Sequence, residues 1–147
     1  MTPQGQERSK IVIVEDNPAD VVLVREALST NDVCCTLERY ETGESALAAL
    51  AKRESPADLN FPSLVILDWN LPILSGAEVL QTIRRWSRFH ATPIAVLTSS
   101  GSPRDRSQAM RLGATRYIQK PMNFEDFMQE VGGQIRELLA GPSFSAV

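Results

Sequence analysis

The chain is poor in the residues that build thiolate and imidazole chemistry. Among its 147 residues there are one histidine, His90, and two cysteines, Cys34 and Cys35, which are adjacent. Neighbouring cysteines rarely reach disulfide geometry, and both fall in a predicted strand, where a packing role is expected. His90 falls in a loop before a strand and reads as a surface residue. Positive charge is also lacking. The net charge of −3 argues against nonspecific affinity for nucleic acid, whose phosphates demand a clear positive excess. Long apolar runs are absent: the longest stretches are far shorter than the ~20 residues needed to span a bilayer. The opening segment MTPQGQERSK is polar, so neither a signal peptide nor a membrane span is expected. A reduced, cytoplasmic protein is the consistent reading.

What is present is an alternation of short β-branched runs with helical patterns. The runs IVIV (Ile11–Val14), VCCTLERY (Val33–Tyr40), LVIL (Leu64–Leu67), IAVL (Ile94–Leu97) and TRYIQ (Thr115–Gln119) read as strands. Helices are expected from Asn17-Pro18 to near Ser29, over Thr42–Lys52, from about Ser75, from Ser102-Pro103 to a stop at Gly113, and from a cap at Asn123. Gly132-Gly133 lie inside the last helix, and each costs about 1 kcal/mol relative to alanine. They mark either a weak point or a close approach. A flexible N-terminus (1–9), one domain (10–140) and a loose tail (141–147) follow, with no repeat and no second domain. Strands each followed by a helix imply an α/β fold, a parallel sheet with right-handed crossovers and helices on both faces. In such sheets ligands bind at the carboxyl ends of the strands, where the winding reverses.

The residues at those ends carry the chemistry. Glu15 and Asp16 follow the first strand and Asp68 the third; Thr98 ends the fourth, and Lys120-Pro121 follow the fifth. Singly, each has a plain reading as a helix cap, a turn hydroxyl or a surface charge. Together, three acids need a cation or a proton to coexist. Oxygen donors without histidine or cysteine point to Mg²⁺ rather than zinc. A carboxylate beside Mg²⁺, with a hydroxyl and an ammonium near, suits phosphoryl transfer.

On these residues the chain resembles the receiver domains of two-component response regulators, over roughly residues 10 to 139. The matching features are the acidic pair in IVIVEDNPAD, Asp68 and Leu71-Pro72 in ILDWNLP, Gly76, Thr98 in AVLTSS, and Lys120-Pro121 in RYIQKP. Their spacing agrees as well, with Asp68 and Thr98 30 positions apart and Thr98 and Lys120 22. The resemblance implies a flavodoxin-like, doubly wound five-stranded sheet of order 2-1-3-4-5 with five helices. It implies that Asp68 accepts a phosphoryl group from a sensor histidine kinase in a Mg²⁺-dependent reaction. Asp16, Asp68 and the Asn70 carbonyl would bind the metal directly, and Glu15 through water. Lys120 and Thr98 would engage the phosphoryl oxygens, and Tyr117 would be the aromatic switch. A cis Lys120–Pro121 bond would aim the ammonium inward, and Trp69 would sit partly exposed beside the metal. Such a protein is no enzyme beyond its own phosphorylation and dephosphorylation. VEDNPAD, DWNLP and the long Arg53–Ser63 loop resemble the stand-alone receivers that serve bacterial phytochromes.

Two other readings stand beside this one. A Mg²⁺-dependent phosphatase of the haloacid-dehalogenase type also forms an aspartyl phosphate, but it needs an acid two residues after the nucleophile. Asn70 holds that position. A phosphorylation-independent binding module would be expected to lack one of the site residues, and none is missing. The short tail leaves no space for a DNA-binding domain, so output through protein contacts or phosphorelay is expected. Arg104, Arg106, Arg111 and Arg116 opposite Glu125, Asp126, Glu130 and Glu137 suggest a symmetric dimer through the fourth helix, fifth strand and fifth helix.

Overall fold

The computed structural model describes residues 8–141. The two predicted terminal segments, apart from Arg8, Ser9 and Gly141, lie outside the described residues. Five strands, β1 (Ser9–Val14), β2 (Cys35–Tyr40), β3 (Leu64–Leu67), β4 (Ile94–Thr98) and β5 (Arg116–Gln119), form one parallel sheet of order β2-β1-β3-β4-β5. Between them run α1 (Pro18–Thr30), α2 (Gly43–Ala51), α3 (Gly76–Arg85) and α4 (Pro103–Arg111). The final helix, α5, is built of three successive stretches: Phe124–Asp126, the π-helical Phe127–Val131, and Gly132–Ala140.

The strands divide their side chains between two cores by simple alternation. Val12, Val14, Val65, Leu67, Ile94, Val96 and Tyr117 face α2, α3 and α4. Ile11, Ile13, Leu64, Ile66, Ala95, Leu97 and Ile118 face α1 and α5. Burial on both faces explains why these strands read as unbroken apolar runs.

The helix starts follow the sequence signals. Asn17, Thr42, Ser75, Ser102 and Asn123 each accept a hydrogen bond from an N–H of the first turn. Of the two glycines in α5, Gly132 is the close approach: a Cβ there would lie 2.5 Å from the Ala27 carbonyl oxygen, whereas Gly133 faces open space.

At the amino end of the sheet, Arg84 ties together the segments that lead into β4 and β5. Its Nε donates to the Gly113 carbonyl (2.8 Å), and its Nη1 to those of Phe89 (2.7 Å) and Thr92 (2.8 Å). Its Nη2 donates to the Thr115 hydroxyl (3.3 Å). No carboxylate among the described residues pairs with it. Burial holds its pKa below the ordinary arginine value.

Candidate functional site

The order β2-β1-β3-β4-β5 reverses winding between β1 and β3, so a crevice opens at their carboxyl ends. The sheet ladder continues past the strands and fixes the residues there. Asp68 N–H donates to the Val14 carbonyl (3.0 Å), Glu15 N–H to that of Tyr40 (3.0 Å), and Lys120 N–H to that of Thr98 (2.7 Å). Arg39, on β2, donates Nε to the Glu15 carbonyl and Nη2 to the Asp16 carbonyl, both at 3.1 Å. It thereby pins the loop between β1 and α1.

Glu15, Asp16 and Asp68 bring carboxylate oxygens within 4.8 Å of one another. Glu15 and Asp68 are buried, and so is Thr98. Gathering buried carboxylates in one crevice is costly, and Glu15 shows the cost although Lys120 pairs with it. Its pKa is pushed up to about 7, first by burial; the hydrogen bond from Lys120 works against this, and the Asp68 charge adds to it.

Lys120 Nζ lies 2.8 Å from Glu15 Oε1 and 2.7 Å from Asp20 Oδ2. Burial alone would lower its pKa, but the hydrogen bonds to Asp20 and Glu15 outweigh it and hold the ammonium charged. Asp20 and Arg39 escaped the sequence reading. A signal for Asp20 existed, since it stands four positions after Asp16, one turn along the start of α1.

Thr98 and Asn70 meet directly: the Asn70 Nδ2 donates to Thr98 Oγ1 (3.2 Å), while Asn70 N–H donates to Asp68 Oδ1 (3.2 Å). Thr98 Oγ1 also accepts from the Ser100 N–H (3.3 Å), and the Ser100 carbonyl accepts from the Tyr117 hydroxyl (2.8 Å). The Tyr117 ring is 5% exposed and carries the Arg106 guanidinium 4.9 Å from its centre. It faces the α4 side of the sheet, as its odd offset from Lys120 requires.

Two expectations fail. The Lys120–Pro121 bond is trans, as are all the described peptide bonds; the ammonium is brought inward by the two carboxylates that bind it. Trp69 is 6% exposed rather than partly open. By alternation it shares the face of Val65 and Leu67, and it joins their core with Leu71 and Val79. The loop beyond holds an unusual residue, Ile73, in the left-handed region at φ 67° and 91% exposed.

The response regulator receiver domain family matches residues 11–132. The chain is 35% identical to the probable methanogenesis regulatory protein FilR2 of Methanothrix harundinacea, over 89% of this chain and 83% of that one. It is 32% identical to the response regulator Rcp1 of Synechocystis, over 90% of each. Among solved structures, the Mn²⁺-bound form of Rcp1 superposes with a TM-score of 0.80 at 31% identity, covering 92% of this chain and 97% of that one. The phosphorylated cyanobacterial phytochrome response regulator RcpA superposes with a TM-score of 0.82 at 32% identity, covering 93% and 98%.

Proposed function

Since the chain belongs to the response regulator receiver domain family, we propose that Asp68 is its phosphoacceptor and that Glu15, Asp16, Asn70, Thr98 and Lys120 complete the site. The observation that carries this reading is convergence. Three carboxylates lie within 4.8 Å of one another, and one of them, Glu15, also binds the Lys120 ammonium. The site fits a divalent metal, a family property, and the all-oxygen donor set favours Mg²⁺. Asp16, Asp68 and the Asn70 carbonyl would hold it, with Glu15 reaching it through water. Bound there, it would supply charge neutralisation to the transferring phosphoryl group.

The protein's own side chains do the rest. A carboxylate oxygen of Asp68 attacks the phosphorus of a phosphohistidine. The new P–O bond forms as the P–N bond breaks, and the donor imidazole nitrogen keeps the electron pair. Lys120 Nζ donates to a phosphoryl oxygen and offsets its charge. Thr98 exchanges its place beside Asn70 for a hydrogen bond to another phosphoryl oxygen. Because Ser100 bridges Thr98 and Tyr117, movement of that hydroxyl reaches the ring directly.

Receiver domains take their phosphoryl group from histidine kinases. Similarity to Rcp1 and to the phytochrome response regulator RcpA favours a phytochrome as this chain's kinase. No described helix is long and apolar enough to cross a membrane; a cytoplasmic site of action is proposed from membership of the receiver family. The face of α4, β5 and α5 is proposed as the output surface and as a dimer contact. Arg116 and Glu137 pair within the chain at 2.8 Å, which leaves Arg104 and Arg111 to meet Glu125, Asp126 and Glu130 of a second copy.

Incubation with phosphoramidate and Mg²⁺, followed by intact mass, tests the assignment. The unaltered protein should gain one phosphoryl group and Asp68→Asn none. Incorporation by Asp68→Asn would overturn the reading.

A further inference from the structure

Lys120 is held by more than the phosphotransfer reading requires. Its ammonium has three N–H donors. One goes to Glu15 and a second to Asp20, and no hydrogen bond joins it to Asp68. Asp20 sits in the first turn of α1, with its side chain 22% exposed against 10% for Lys120. It does not belong to the three-carboxylate cluster. It also leaves the capping of α1 to Asn17, whose side chain accepts from the Ala19 N–H, so its own carboxylate is directed at the lysine. A cleft of about 450 Å³, lined by Asn17, Asp20, Ser99, Lys120, Met122 and Phe127 among others, opens beside the pair.

We propose that Asp20 is a positioning residue for phosphoryl transfer: together with Glu15 it anchors the Lys120 ammonium at two points and leaves the third N–H for the phosphoryl oxygen. This inference rests on Asp68 being the phosphoacceptor. The physical reason is the lysine stem, whose four carbons leave the charge mobile unless it is tied. One anchor fixes a distance, whereas two fix a direction, and the remaining donor is then oriented before the substrate arrives. The opposing effect is electrostatic, because a carboxylate near an anionic phosphoryl group repels it. The two effects predict opposite changes when Asp20 is altered. Loss of an anchor slows transfer, and loss of a repelling charge speeds it.

The test measures phosphorylation rate at saturating Mg²⁺ against phosphoramidate concentration, with melting temperature followed in parallel. Asp20→Ala is expected to lower the maximal rate about tenfold, with little change in the concentration of phosphoramidate at half-maximal rate. Asp20→Asn keeps an acceptor oxygen and should recover most of that loss. In a Lys120→Ala background, Asp20→Ala should have no further effect, because the two residues act as one unit. Three outcomes would overturn the proposal: an unchanged rate in Asp20→Ala, equal acceleration in the Ala and Asn variants, or an undiminished effect without Lys120. A loss of melting temperature at constant rate would assign Asp20 to helix stability alone and overturn it too. Failure of the underlying reading looks different, since phosphate would then enter Asp68→Asn.

Discussion

Gly76 begins α3 against the backbone of the loop that carries Asp68, the proposed phosphoacceptor. A Cβ there would lie 2.4 Å from the Asp68 carbonyl oxygen and 2.7 Å from the Trp69 Cα. Both are backbone atoms of the Asp68–Trp69 segment and can yield little, so Gly76→Ala should cost about 1–3 kcal/mol and shift the Asp68 carboxylate. Denaturant melts and phosphorylation rates together check this; a rate unchanged in a destabilised variant would separate the loop from the site. Trp69 follows Asp68 directly and is buried, so its indole senses charge through a medium of low polarity. Adding Mg²⁺ should change its fluorescence, and Trp69→Phe should abolish the change. A signal that survives would belong to Trp86 and would place the metal elsewhere.

The elements differ in how plainly the sequence announces them. The β-branched runs, the five helix starts and the stop at Gly113 (φ 107°) were legible because each rests on local geometry. The positions after the strands were legible because topology alone brings them together. Side-chain reach was not: Asp20 and Arg39 act across gaps that no periodicity describes, and the burial of Trp69 depends on how α3 packs. In α5 the glycine pair proved unequal. Gly132→Ala should destabilise by about 1–3 kcal/mol by colliding with α1. Gly133→Ala should stabilise by up to about 1 kcal/mol, since only helix propensity changes; equal shifts in thermal midpoint would count against this packing. The long loop after α2 is tied to β2 by Arg53, which donates to the Asn60 carbonyl and to Glu38, itself the acceptor of the Tyr40 hydroxyl. Burial pushes the Glu38 carboxyl up, but the hydrogen bonds from Tyr40 and Arg53 prevail and hold its pKa below the ordinary value. A depressed folded pKa stabilises above the unfolded value, and that contribution is lost as pH falls through the folded one. Arg53→Ala should therefore cost about 1–2 kcal/mol at neutral pH and less in acid, as urea melts across pH would show.

For the whole molecule, phosphorylation is expected to favour a dimer, because Tyr117 lies on the strand between the basic and acidic parts of the proposed face. Sedimentation with and without beryllofluoride checks this. A monomer in both states would sink the dimer, while a dimer lost in Arg111→Glu and regained with Glu130→Lys would support it. Two enclosed cations, Lys120 and Arg84, are also held by different forces. At the carboxyl end, full charges face each other, whereas at the amino end Arg84 is gripped by carbonyl and hydroxyl dipoles alone. Dissolved salt weakens attraction between full charges that solvent can reach, over a Debye length of about 8 Å at physiological ionic strength, and has little purchase on a cation enclosed by dipoles. Salt therefore reaches the Arg116–Glu137 pair at the start of β5 most, since its side chains are 34% and 66% exposed, the buried Lys120–Glu15 pair much less, and Arg84 least. Rising ionic strength should loosen the proposed output face, where that pair joins β5 to α5, before it disturbs the carboxylate crevice or the frame beneath it.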